Sequence, residues 1–309
     1  MRTMRRVIAL ILVYTLGATL AAMPVAAATT SERGSSSAFC DPGVSGAPAS
    51  VAGRDVKVRE PDLGQVHADM PASAKGKAGP NFSATVPTYI HVITDGGVGN
   101  LTAKQIADQI AVLDKTFGGR EGGYRTQFDF VLAGVTRTDN AAWYWAAPGG
   151  VNENTMKQTL RQGGNDALNI YTTSGGGYLG WAYLPDILTK PGQTHLDGVV
   201  MSWETVPGAS TTYAGKYDLG ETATHEVGHW LNLEHTFYGG CNAKGDFVDD
   251  TPAQRIATFG CPEGQDSCKA PGLDPIHNYM DYSFDSCYTE FTAGQAQRMH
   301  DAWLFYRAP

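Results

Sequence analysis

Basic charge is scarce in this chain: 23 lysines and arginines face 31 aspartates and glutamates, for a net charge of −8. Three of those cations, Arg2, Arg5 and Arg6, sit at the extreme N-terminus, so without residues 1–28 the charge moves from −8, less three, to −11. Nucleic acid and anionic membranes both require a basic face, so neither is expected as a partner. Long apolar runs are missing as well, except over residues 7–20. That stretch follows a basic n-region and precedes the small residues Ala26, Ala27 and Ala28, so residues 1–28 read as a secretory signal peptide rather than a membrane span. Cysteine is absent from the long interval between Cys40 and Cys241. The other four, Cys241, Cys261, Cys268 and Cys287, crowd into the last third. In an exported protein they can form two disulfides, with three connectivities open, and Cys40 is left over. Paired C-x-x-C motifs are absent, which argues against a tetrathiolate zinc site. Internal repeats are absent too.

What is present divides the chain at about residue 81. Residues 29–81 are rich in Ser, Ala, Gly and Pro and cannot bury enough surface to fold alone, so they read as an irregular pro-segment. Residues 82–309 carry the folded domain. Its first strand is VPTYIHVI at 86–93, β-branched and aromatic. Ile106, Ile110, Leu113 and Phe117 recur at helical spacing behind Thr102, a suitable N-cap. Phe128, Phe130 and Leu132 alternate as a half-buried strand, and residues 152–161 read as a helix. Short strands are expected at 168–172 and 198–202, with an edge strand at 180–184 and a last helix over 292–306. Strands interleaved with helices indicate an α/β sheet domain.

The segment TATHEVGHWLNLEHTF at 222–237 carries the chemistry. His225 and His229, at i and i+4, project from one helical face and can share a metal ion. Three histidines leave one position open, as a catalytic zinc site requires. The third, His235, can join only if the helix ends just after Leu231. Otherwise six further helical residues would carry it about 9 Å along the axis. Asn232 stands where the chain must turn, and asparagine tolerates the left-handed conformation of a helix terminus. Chance occurrence of these four specified residues is on the order of 10⁻⁴ per chain. Glu226 is placed to receive a proton from water at the metal, which makes it the candidate base.

This segment resembles the zinc-binding consensus of the metzincin clan, and within that clan the chain is similar to the pappalysins over 86–307. Supporting stretches are LGWAYLP at 179–185, DGVVM at 197–201, GDFVDDTP at 245–252 and NYMDY at 278–282, which matches the clan's Met-turn. The clan has glycine where this chain has Asn232. The resemblance implies a metzincin-like domain with a twisted, mostly parallel five-stranded sheet, a backing helix and an active-site helix. An irregular, disulfide-linked C-terminal subdomain ending in a helix would follow. It also implies one catalytic zinc ion, Met280 as an apolar floor beneath the histidines, and Tyr282 as a stabiliser of the oxyanion. The disulfide pairing it implies is Cys241–Cys268 and Cys261–Cys287.

Three further assignments are expectations of the same kind. Asp246, Asp249, Asp250 and Thr251 crowd hard oxygens into a loop that would suit calcium, which relatives bind. A thiolate from a pro-segment can occupy an open zinc position, so Cys40 is a candidate latency switch. Asp285 would attract Arg or Lys in the pocket beyond the scissile bond, as an acid does in a relative. The chain is thus expected to be a secreted, monomeric zinc endopeptidase acting on proteins or peptides. An inactive binding module on a peptidase fold and a zinc amidase acting on cell-wall peptides are the competing readings.

Overall fold

The computed structural model describes residues 49–51, 54–65, 67–242 and 244–309. The expected signal peptide at 1–28 and the candidate switch Cys40 fall outside the described residues. A short antiparallel pair, β1 (Ala49–Val51) and β2 (Arg54–Val56), comes first. β3 (Ala84–Thr94), α1 (Ala103–Phe117), β4 (Phe128–Asp139), α2 (Ala141–Tyr144) and α3 (Val151–Leu160) follow. Next are β5 (Leu168–Thr173), β6 (Gly180–Ala182), β7 (Val199–Ser202) and α4 (Glu221–Trp230). After a long irregular stretch, α5 (Ala293–Ala302) runs on into a wider turn at Trp303–Arg307.

The main sheet has the order β4-β3-β5-β7-β6, with every pair parallel except β7 with β6. Period-two patterning sorts its side chains. Val86, Ile90 and Val92 of β3, with Ile170 and Met201, meet Ile106, Leu113 and Phe117 of α1 and Val227 and Trp230 of α4. On the opposite face Ile93, Tyr171, Val200 and Trp181 pack with Met156 of α3. Thr102 caps α1 with a reciprocal capping box to Gln105, as its position in the sequence suggested. The alternation expected at 128–132 holds for Phe128 and Phe130 and fails at Leu132, which is 41% exposed. β4 is an edge strand, and Leu132 reaches only the rim of α1 beside Ala103 and Ile106.

Two features anchor what lies around α4. Arg307, buried at the C-terminus of the fold, donates to the Trp230 carbonyl at 2.7 Å and pairs with Asp197 at 2.9 Å. It thereby satisfies a carbonyl that the helix end would leave orphaned. Beyond α4, the irregular region is tied by disulfides Cys241–Cys268 and Cys261–Cys287, each with Cα atoms 5.6 Å apart. Residues 57–78 have no core of their own and lie on the domain. Met70 and Ala74 are buried against Ala302 and Tyr306, and Asp301 accepts the N–H groups of Gly76, Lys77 and Ala78 at 2.6–2.9 Å. Among the described residues, no helix is long and apolar enough to cross a membrane.

Candidate active site

Every residue of α4 is buried, so the helix runs through the interior and delivers its polar side chains into a cleft. It stops where the sequence required. Asn232 takes φ +80°, its N–H donates to the His229 carbonyl at 2.8 Å, and Leu233 N–H reaches back to Gly228 O at 2.9 Å. These two bonds make a Schellman turn, which reverses the chain at once and brings His235 back toward the helix. Arg298 locks the turn by donating to Asn232 O at 2.8 Å.

The three imidazoles meet. His229 Nε2 lies 3.2 Å from His225 Nε2 and 3.1 Å from His235 Nε2. His225 Nδ1 faces the Tyr279 carbonyl at 2.6 Å and His229 Nδ1 the Leu233 carbonyl at 2.7 Å. A carbonyl can only accept, so both Nδ1 atoms carry the proton and both Nε2 lone pairs point into the cluster. Lone pairs aimed at one another repel unless a positive charge, a proton or a metal ion, lies between them. The edge of a tetrahedron built on 2.0–2.1 Å zinc–nitrogen bonds is about 3.3 Å, so the spacing fits such an ion. Burial, opposed by Glu60 and helped by the neighbouring imidazoles, pushes His235 down to about 3, whereas Glu60, working against burial, raises His229.

Glu226 lies against the edge strand. A Cβ on Gly180 would sit 2.8 Å from Glu226 Oε1, so only glycine leaves room for the carboxylate at that point of β6. Glu226 Oε2 is buried with no partner among the described residues, and burial, then the charge of Glu60, lifts the carboxyl well above its ordinary range. Tyr282 stands with its ring 4.9 Å from that of His235, and burial holds its hydroxyl protonated. Met280 lies under the helix, so close to Gly228 that a side chain there would strike its sulfur. A small cavity of about 30 Å³ adjoins Glu226 and is lined in part by Leu179, Tyr217, Glu221, Asp285 and Tyr288.

The remaining candidates fall in different places. Asp285 is buried at that cavity but accepts the Leu219 N–H at 2.8 Å, and burial pushes its carboxyl up to about 7. Asp246, Asp249 and Asp250 do not converge as a three-ligand cluster among the described residues. Asp246 accepts from Thr251 Oγ1 at 2.8 Å and from Val248 N–H at 3.1 Å. Asp250 turns away to Thr292 Oγ1 and Gly294 N–H at the start of α5, at 2.6 and 2.8 Å. One group was not anticipated: Glu60 places a carboxylate oxygen against all three imidazoles. Its only local signal is an acid in front of Pro61, a weak one in so polar a segment.

Known proteins share this arrangement of chain. The family model described as Pregnancy-associated plasma protein-A matches residues 183–303. An extracellular metalloprotease of Arthroderma benhamiae is 46% identical over 231 residues, 73% of this chain and 74% of its own. An extracellular metalloprotease of Pyricularia oryzae is 46% identical over 248 residues, 78% of this chain and 83% of its own. Mature mirolysin of Tannerella forsythia, solved with a cleaved peptide, superposes with a TM-score of 0.59 at 30% identity, covering 71% of this chain and 91% of its own. Promirolysin from the same organism gives 0.61 at 29% identity, over 72% of this chain and 81% of its own. With its metzincin fold and this degree of identity to named metalloproteases, the chain belongs to the pappalysin family of metalloproteases.

Proposed function

We propose that this chain is an exported zinc endopeptidase, made with a pro-segment at 29–81 and a catalytic domain at 82–309. The observation that carries the reading is the convergence of three Nε2 atoms, with the buried carboxylate of Glu226 on the same helix, its Oε2 without a partner among the described residues. Export is supported by the extracellular naming of relatives 46% identical to it. His225, His229 and His235 would hold the ion, which when bound supplies Lewis acidity and a lowered pKa for water. Glu226 takes a proton from the attacking water and delivers it to the leaving amine. Tyr282 donates its hydroxyl to the developing oxyanion. Met280, packed under Gly228, keeps the helix turn that carries His229 from shifting. An extended substrate lies along β6, the edge strand, whose main-chain groups face outward for pairing. Asp285 and Glu221 line the cavity beside Glu226, so a lysine or arginine side chain entering it meets two carboxyl groups.

The test is Glu226→Ala in the processed enzyme. Zinc measured by atomic absorption should remain at one per chain, while casein cleavage falls roughly 10²- to 10⁴-fold. Undiminished cleavage would remove Glu226 from the mechanism, and a parent protein that takes up no zinc would end the reading altogether.

A further inference from the structure

The fourth corner of the histidine cluster is filled from within residues 29–81. Glu60 Oε1 stands 2.8 Å from His225 Nε2, 3.1 Å from His229 Nε2 and 3.3 Å from His235 Nε2. Among the described residues these four form one group whose ligand atoms all lie within 4.8 Å of one another. Three histidine nitrogens and a carboxylate oxygen make a complete four-coordinate zinc set, with no position left for water.

The flanking residues hold Glu60 there. Pro61 confines Glu60 to extended backbone. Lys57 N–H donates to Gly177 O at 3.0 Å, and Lys57 forms a parallel bridge with Tyr178, just ahead of the edge strand. Val58 packs on Leu179, Tyr213 and Tyr217 and borders the cavity beside Glu226. Glu60 N–H donates to the Tyr282 hydroxyl at 3.1 Å. Further on, Gln65 bonds Ala182 O at 3.2 Å, and His67 Nδ1 lies 2.6 Å from Glu234 Oε2.

We propose that Glu60 is a fourth protein ligand of the metal in the intact chain, and that residues 57–60 hold the peptidase latent. The segment takes the metal position, the Tyr282 hydroxyl and the side-chain cavity together, and it offers the metal a side chain where a substrate offers a peptide carbonyl. Latency then belongs to a carboxylate and not to the thiol of Cys40. The inference rests on the zinc-peptidase reading above.

The test uses the intact chain without its signal sequence, carrying Glu226→Ala to prevent self-processing and cobalt(II) in place of zinc. Acetohydroxamate is the probe, and the visible absorption of cobalt reports its binding. The parent should bind it poorly, whereas protein cleaved by trypsin at exposed Lys75 or Lys77 should bind it well. Glu60→Ala in the uncleaved chain should tighten apparent binding at least about tenfold, the change expected if the ligand keeps the site closed nine-tenths of the time or more. Glu60→Gln, which preserves shape, should tighten it less, and it serves in place of Glu60→Ala if that variant fails to fold. Cys40→Ser should change nothing. No tightening in either Glu60 variant, or opening by Cys40→Ser alone, overturns the proposal. A cleaved protein with Glu226 intact that digests casein while the Glu60 variants stay closed sinks only the latency inference. One that neither holds zinc nor digests casein sinks the functional reading instead.

Discussion

α4 and the region from Asn232 to Thr292 contribute to one histidine cluster, yet they are held by different forces. α4 is fixed by apolar burial: Ala223, Val227 and Trp230 face the sheet, and helical periodicity then aims His225 and His229 without further help. The second region has little regular structure. It positions His235, Met280 and Tyr282 with two disulfides and buried hydrogen bonds. Asp281 is the centre of these bonds, taking Thr258 N–H and Gln254 Nε2 at 2.8 Å each. The contrast teaches that a side-chain cluster can be half rigid by packing and half rigid by cross-linking. Its weak half should then fail first.

Breaking the cross-links gives the largest effect. Replacing Cys261 and Cys287 together by serine should lower stability by about 3 kcal/mol, the usual worth of a disulfide closing a loop of this size. Zinc release should precede loss of helical circular dichroism on urea titration; a single coincident transition would erase the distinction between the halves. Asp281→Ala comes next, at about 2 kcal/mol, since it strands buried donors. Its effect on kcat should exceed any effect of equal stability cost made in α1. Asn232 tests the junction itself. Asn232→Ala should cost about 1 kcal/mol for a left-handed φ, whereas Asn232→Gly should cost nothing.

The smallest effect is on pH, where the sheet on which α4 packs and the second region should respond with opposite sign. In the sheet, burial lowers His91, whose ring lies between Asn169 and Thr136. A depressed base contributes stability that is present above its unfolded value, about 6.5, and lost as pH falls through the folded value. In the second half burial raises Asp285 to about 7, so its contribution is full below about 3.9 and lost as pH rises through about 7. Melting temperature should therefore be flatter on the acid limb in His91→Gln and flatter near neutral pH in Asp285→Asn. Identical profiles in both variants would mean that neither group titrates as its surroundings dictate.

Elements governed by local periodicity were legible in the sequence. β3, α1 with its Thr102 cap, α4, and the reversal at Asn232 all follow from residues within a turn or two of one another. Leu132 was misjudged as a buried position because alternation does not say how far a covering helix extends. The acidic loop was legible as composition only: nothing in GDFVDDTP shows that Asp250 would turn to α5. Glu60 lies 165 residues from His225, and no spacing rule spans that distance. Arg307 was missed for the same reason, since its partner Trp230 is 77 residues away.

Residues 57–60 and the cleft they occupy are parts of one covalent chain, and this sets how tightly they compete. A tethered segment acts on its own site at an effective concentration on the order of millimolar, whatever the protein concentration. A diffusing peptide at micromolar level is outnumbered about a thousandfold before any difference in affinity is counted. Hydrolysis of one bond between the tether and the domain lets that local concentration fall to that of bulk solution by dilution alone. A peptide bond cut in water does not rejoin of its own accord, so under the proposed latency onset is a one-way event governed by chain connectivity.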